Sequence, residues 1–343
     1  MKTNKILNTI AITGLLIAAV EVGYLVYKEK TKPPVVKNSD IATTTPSIMS
    51  QFNGAAVSST EEAVPLVLAV MIDNHPDARP EAGLSQASVV YEAPVEGGIT
   101  RYMALFKATD TVAKVGPVRS ARPYFLDWAS EYGNAPYWHC GGSPAALSLL
   151  KEYKMWDVDQ FFYDRYFWRS EAKVAPHNLY TDSDNWQKLI AGSTKEAKSW
   201  KGWVFNSDIP TATSSDVLQI QIKFDTYYGI GWNFDKESGY YVRSLNGKEQ
   251  ADEAGQAILA DNVIVQEVDT EVIDEEGRRE VTTVGQGVAR VLRDGKMIRG
   301  YWTKEKRTSR TRFFTNDGRE ISLKPGKIWI EIVPQGSAME VSS

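Results

Sequence analysis

Between residues 73 and 178 the chain gathers all three of its histidines and six arginines: Arg79, Arg101, Arg119, Arg122, Arg165 and Arg169. Each histidine lies in a turn-like sequence: Asp73-Asn74-His75-Pro76, Trp138-His139-Cys140-Gly141-Gly142 and Pro176-His177-Asn178. Arginine carries a planar fork that grips a carboxylate or phosphate at two points. Two segments could add a helix start, with its free N–H groups, to an anion site. In Gly141-Gly142-Ser143-Pro144 the glycines allow close approach, Ser143 can cap and Pro144 suits the first helical position. In Gly116-Pro117-Val118-Arg119-Ser120-Ala121-Arg122-Pro123 a helix begins beside two arginines. The chemistry expected of this set is anion binding, with the loops converging at one end of a sheet. Arg101, Arg119 and Arg122 would clamp the anion, and Gly142 and Ser143 would give it hydrogen bonds. Arg79, Glu96, His139 and Asn178 complete the expected ligand-binding set. Asp73, His75 and His177 are the acid–base candidates if there is catalysis; the residues leave that open and name no cofactor.

Blander readings stand beside this one. An arginine near Glu92 or Glu96 can be a structural ion pair, the usual way a buried guanidinium is satisfied. Asp73, His75, His139 and His177 would make a zinc set, but no pair has the short helical spacing of a His-Glu-x-x-His site. Cys140 and His139, adjacent on a strand, would point to opposite faces and not meet. Neither Ser120 nor Ser143 lies in a G-x-S-x-G elbow, and P-loop and dinucleotide fingerprints are absent.

The elements that must position these residues read as α+β: a mixed α/β-layer domain over 64–205 and a smaller β-rich domain over 216–335. Val67 to Ile72 is a continuous apolar run, as in a buried strand. Ser88–Glu92, Ile99–Lys107 and Ala135–Cys140 read as further strands; Ala121–Tyr132, Ala145–Tyr153 and Ser183–Ala191 read as helices. Strands and helices interleave without a regular βαβ rhythm. Thr194–Asp216 is polar and marks the boundary. Beyond it, Leu218–Phe224 alternates strictly, and Asp294-Gly295 between two strand-like runs signals a hairpin. A small β-sheet or barrel-like unit with exposed aromatics such as Trp232 and Trp302 is expected there.

Upstream, residues 1–30 read as a membrane anchor. Ile6–Tyr27 is a mostly apolar run flanked by Lys2, Lys5, Lys28, Lys30 and Lys32, long enough as a helix to span a bilayer core. It is longer than the apolar core of a cleaved signal and has no clean small-residue cleavage site after it. Lysines on both flanks leave orientation open. Residues 31–63, rich in Thr, Ser and Pro, read as a flexible linker, with Phe52-Asn53-Gly54 the part that could dock. The whole chain, 343 residues with 39 Lys+Arg against 43 Asp+Glu, has a net charge of −4, which argues against a general nucleic-acid binder. A single cysteine excludes an intrachain disulfide.

The ordered motifs Asp73-Asn74-His75-Pro76-Asp77-Ala78-Arg79-Pro80, Val95-Glu96-Gly97-Gly98-Ile99-Thr100-Arg101, Gly116–Arg122, Gly141–Pro144 and Ala175–Tyr180 resemble the YerB-like lipoprotein family. So do Arg293-Asp294-Gly295, Ser309–Phe313 and Pro325–Trp329, and the likeness covers about 64–335. It implies a bacterial, extracytoplasmic, membrane-tethered protein of two α+β domains and supplies no reaction. The chain lacks the N-terminal cysteine that would carry a lipid, so its apolar segment would replace the lipid. The order of an aspartate loop, an arginine-rich turn and a Gly-Gly-x-Pro helix start also faintly resembles the LytR–CpsA–Psr transferases, which act on polyprenyl-linked pyrophosphate. Together these readings give a single-pass cell-envelope protein that binds a lipid-linked phosphate or an anionic wall polymer. Its rivals are a scaffold that docks an envelope protein, a metal-dependent hydrolase and a polyprenyl-phosphate-linked transferase.

Overall fold

The computed structural model describes residues 48–208 and 214–343. The expected anchor (6–27) and the first part of the expected linker lie outside the described residues. Among the described residues no helix is long and apolar enough to cross a membrane.

The linker reading fails from residue 48 onward. Ile48–Met49 pairs with Ala56–Val57, and Ser59 caps a single helical turn, Thr60–Ala63, by accepting from Glu62 N at 3.2 Å. Phe52 is fully buried, edge-on to Tyr132 and Trp200 with ring centroids 6.0 and 6.2 Å away. Phe52, in the part of the linker that could dock, is the aromatic anchor.

The strands are β1 (Val67–Ile72), β2 (Val89–Pro94), β3 (Thr100–Lys107), β4 (Pro136–His139), β5 (Trp156–Asp159), β6 (Ser214–Asp216), β7 (Gln219–Lys223), β8 (Gly229–Asp235), β9 (Tyr240–Leu245), β10 (Asn262–Val268), β11 (Gly285–Arg293), β12 (Lys296–Lys304), β13 (Arg312–Thr315), β14 (Ile328–Pro334) and β15 (Met339–Ser342). The helices are α1 (Pro123–Ala129), α2 (Pro144–Glu152) and α3 (Ser183–Ala191). The architecture is α+β, with the β-rich part towards the C-terminus.

One eleven-stranded sheet runs β6-β12-β11-β10-β14-β2-β3-β1-β4-β5, with β13 paired to β12. The two halves of the chain therefore share a sheet, joined where β14 lies parallel to β2 with Ile330 opposite Tyr91 and Glu331 opposite Glu92. All six residues of β1 are buried because apolar clusters cover both faces of the sheet. The C-terminal strands β9, β8, β7 and β15 with two short segments make a six-stranded second sheet, the sheet and not the barrel of the two expected forms. The hairpin β11–β12 turns at Asp294 (φ 53°) and Gly295 (φ 69°), the paired positive φ of a tight primed turn. Trp232 and Trp302, expected at the surface, are 0 % and 1 % exposed. Each indole N–H found an acceptor inside, Glu331 Oε1 and Glu267 O respectively, which is what lets a tryptophan be buried.

Candidate functional site

Strands β1, β2, β4 and β5 point the same way, so their carboxyl ends and the loops that follow meet at one edge of the sheet. Asp73 follows β1, Glu96 follows β2, Gly141 and Ser143 follow β4, and Arg101 enters that edge at the start of antiparallel β3. Open α/β sheets bind ligands at such strand ends. The segment Gly116–Arg122 is wedged between the tips of β1 and β4. Asp73 N donates to Pro117 O, Arg119 N to Met71 O, and Cys140 N to Arg119 O, at 2.8, 2.9 and 3.1 Å. Gly116 (φ 145°) has no room for a side chain, since a Cβ would lie 2.6 Å from Leu179 O. That close approach packs 116–118 against the segment that carries His177.

Asp73 is the hub. Its Oδ2 accepts from Arg119 Nε at 3.0 Å and His177 Nδ1 at 2.7 Å, and its Oδ1 from His75 N at 3.2 Å. Burial pushes the Asp73 carboxyl up, but Arg101, the His177 hydrogen bond and Arg119 outweigh it and hold it below the usual carboxylate range. A carboxylate can only accept here, so His177 donates from Nδ1 and keeps Nε2 for proton exchange or ligand contact. The His75 and His177 rings stack 4.4 Å apart.

Arg101 is 6 % exposed and makes no ion pair among the described residues; its Nη1 donates to Ser120 O at 3.0 Å and its Nε has no partner. Burial and then the charge of Arg122 push its guanidinium down to about 10, against the pull of Asp73 and Glu96. The buried Tyr137 hydroxyl, which feels Arg101 and Arg122, is likewise unpartnered. Three guanidiniums, Arg101, Arg119 and Arg122, thus face two carboxylates, Asp73 and Glu96, leaving one positive charge in excess. Arg119 is 24 % exposed along its side chain, and only its Nε is spent.

Five expected ligand contacts are otherwise engaged. Arg122 spends Nε and Nη2 on Glu96 (2.6 and 2.8 Å) and Nη1 on Ala121 O, so Arg122 and Glu96 form a structural pair. Burial opposes that pairing, yet Arg122 holds the Glu96 carboxyl below its usual range. His139 is fully buried, its Nδ1 against Gly141 O at 2.7 Å and its Nε2 against Asp157 Oδ1 at 2.8 Å, which leaves neither nitrogen free. Asn178 is held by Arg169 Nη1 and Ser170 O. Arg79 grips Asn74 through Nε and Nη2 and braces the Asp73–His75 turn. Ser143 is the N-cap of α2, accepting from Ala146 N, with Gly142 directly before it. Ser143→Ala is expected to lower stability by roughly 1 kcal/mol, the usual worth of a cap, in a denaturant titration.

The zinc set drawn from the sequence does not assemble, because His139 and Asp73 are spent. A different trio, His75, Asp77 and His177, brings its donor atoms within 4.8 Å of one another. His75 Nδ1 accepts the Asp77 N–H at 3.2 Å, so the neutral ring carries its proton on Nε2. The trio then offers one clean imidazole nitrogen, His177 Nε2, and fits a metal poorly.

Sequence reasoning offered Glu92 as one half of a structural ion pair but missed the partners that make it the support behind the site. Glu92, fully buried, accepts from Arg243 Nη2 (2.7 Å to Oε2), Tyr228 OH and Thr100 Oγ1 (2.6 Å each) and Trp329 Nε1. Asn74, between Asp73 and His75, donates to both Thr100 and Tyr228. Nothing in the pattern around Arg243, on β9, or Tyr228, in the turn before β8, pointed back to residue 74.

Family models described as the N-terminal and C-terminal domains of a protein of unknown function (DUF3048) match residues 52–198 and 220–330. The chain is 30% identical over 280 residues to YerB of Bacillus subtilis (strain 168), which is named as a candidate lipoprotein; the match spans 80% of this chain and 83% of that protein. The crystal structure of the YerB protein from Bacillus subtilis is similar with a TM-score of 0.75 and 30% identity, covering 86% of this chain and 99% of the other.

Proposed function

Since the chain belongs to the DUF3048 family, which includes YerB, we propose that it is a membrane-tethered, extracytoplasmic envelope protein whose strand-end cluster binds a phosphate-bearing ligand. The location follows the name of the relative, with Ile6–Tyr27 serving here as the anchor. One observation carries the ligand class: Arg101, buried and without an ion pair among the described residues, leaves the cluster one positive charge in excess. A buried unpaired charge is costly, and an anion arriving beside Arg101 and the free fork of Arg119 relieves that cost. His177 Nε2, backed by Asp73, then lies at hand to give or take a proton on the ligand.

The surroundings favour a lipid-linked phosphate over a wall polymer. Phe161 and Phe162, 69 % and 82 % exposed, follow β5 at the same edge. Exposed Val174 precedes His177, whose N–H donates to Val174 O, and exposed Tyr227 adjoins Tyr228. An anion site rimmed by water-facing apolar side chains suits a ligand with a charged head and a greasy tail.

With only three histidines, ring-nitrogen NMR of the full chain in non-ionic detergent tests this reading. Inorganic pyrophosphate is expected to shift His177 and His75 and leave His139 unmoved, and Arg119→Ala to weaken that response at least ten-fold. A His177 signal indifferent to pyrophosphate would rule the reading out.

A further inference from the structure

At the opposite edge of the sheet, where β4 and β5 begin, lies a cleft of about 760 Å³ that the strand-end site does not touch. Its floor and walls come from the end of α1, the turn between α2 and β5, residues 198–201 and the loop after β12. Seven basic side chains line it against two carboxylates, Glu131 and Glu305, in a protein whose net charge is −4. Two of the seven are spoken for: Arg310 pairs with Glu131, which Lys304 also engages, and Arg312 pairs with Glu320. Lys154, Lys198, Lys201, Lys306 and Arg307 make no ion pair among the described residues. Like charges gathered around a concave surface repel one another, and a cleft concentrates their field.

Arg307 is preorganised. Its guanidinium carbon lies 3.8 Å from the centroid of the Tyr153 ring, and its Nη1 donates to Ser130 Oγ. Stacking fixes the plane of the fork and leaves Nε and Nη2 without a partner among the described residues, the state in which arginine meets phosphate. The four lysines add mobile point charges around it, and all four are exposed. The volume is that of a small-molecule site.

We infer that this cleft is a second anion site, for a ligand bearing phosphate groups, whether a free phosphoryl chain or a phospholipid headgroup. The first described residues run beside it: Phe52 packs on Trp200, and Gly202 N donates to Gln51 Oε1 at 2.9 Å, so the chain enters the globule at this wall. The two anion sites lie at opposite ends of β4 and β5, and each is built without residues of the other.

Calorimetric titration of the full chain in non-ionic detergent tests the inference, with inorganic tripolyphosphate in one arm and dihexanoylphosphatidylglycerol below its micelle concentration in the other. The Arg119→Ala chain, with the strand-end site disabled, is expected to keep one binding event that weakens steeply with added salt. Adding Lys198→Glu, Lys201→Glu and Lys306→Glu, all on exposed side chains, should cut that affinity at least ten-fold with the circular dichroism unchanged. The arm that binds names the source of the phosphate. Binding that survives the triple reversal in a folded chain, or binding in neither arm, would overturn it.

Discussion

Arg243→Met is expected to cost about 3–5 kcal/mol of stability, the usual effect of removing one partner of a fully buried ion pair. Arg243 and Glu92 are each 0 % exposed, and Arg243 is the cation that Glu92 faces. Without it, a carboxylate stays in the centre of the sheet with only hydroxyl and indole donors. A second carboxylate, Glu331, stands opposite Glu92 across the β14–β2 pair. Burial and then the charge of Glu92 push the Glu331 carboxyl well above its ordinary range, so one cation serves two acids, one of them protonated. The folded chain therefore holds a proton that the unfolded chain releases above a pH of about 4.3. Stability from this group is full below that pH and is lost as pH rises towards the folded value. Glu331→Gln keeps the neutral shape and removes the slope, so its stability relative to the parent should climb with pH. Urea titrations of both variants across the pH range give these numbers.

Asp73→Asn is expected to cost a similar amount, about 3–5 kcal/mol at neutral pH, because it strips the common partner from Arg119 and His177 and a neighbouring negative charge from Arg101. Its pH dependence runs the other way. The Asp73 carboxyl is held below its usual range, so its contribution is present above the unfolded value of about 3.9 and is lost as pH falls through the folded one. The gap between parent and variant should close in acid. Inorganic phosphate should raise the melting temperature of Asp73→Asn more than that of the parent, since the variant leaves more positive charge for an anion to meet.

The parts of this account written in contiguous residues were legible. The apolar run Val67–Ile72, the hairpin at Asp294-Gly295 and the helix Ser183–Ala191 can be read directly, since each is specified by its own neighbours. The strand-end loops could be named because Gly, Pro and Arg carry their conformational and chemical meaning locally. What stayed hidden depends on partners far along the chain. The parallel pairing of β14 with β2 joins residues more than 200 positions apart and leaves no periodic trace. Whether an arginine is free or bound turns on such partners too: Arg101 and Arg122 look alike in sequence, yet Glu96 takes up one and not the other. Trp232 and Trp302 looked exposed because their acceptors lie on other strands.

The most direct test is a crystal of the full chain soaked in tungstate, a phosphate mimic dense enough to locate without ambiguity. The account predicts tungsten within hydrogen-bonding reach of Arg119 and Arg101, beside His177, and its disappearance from that place in Arg119→Ala. A strand-end cluster without tungsten at concentrations that fill other positions on the molecule would contradict it.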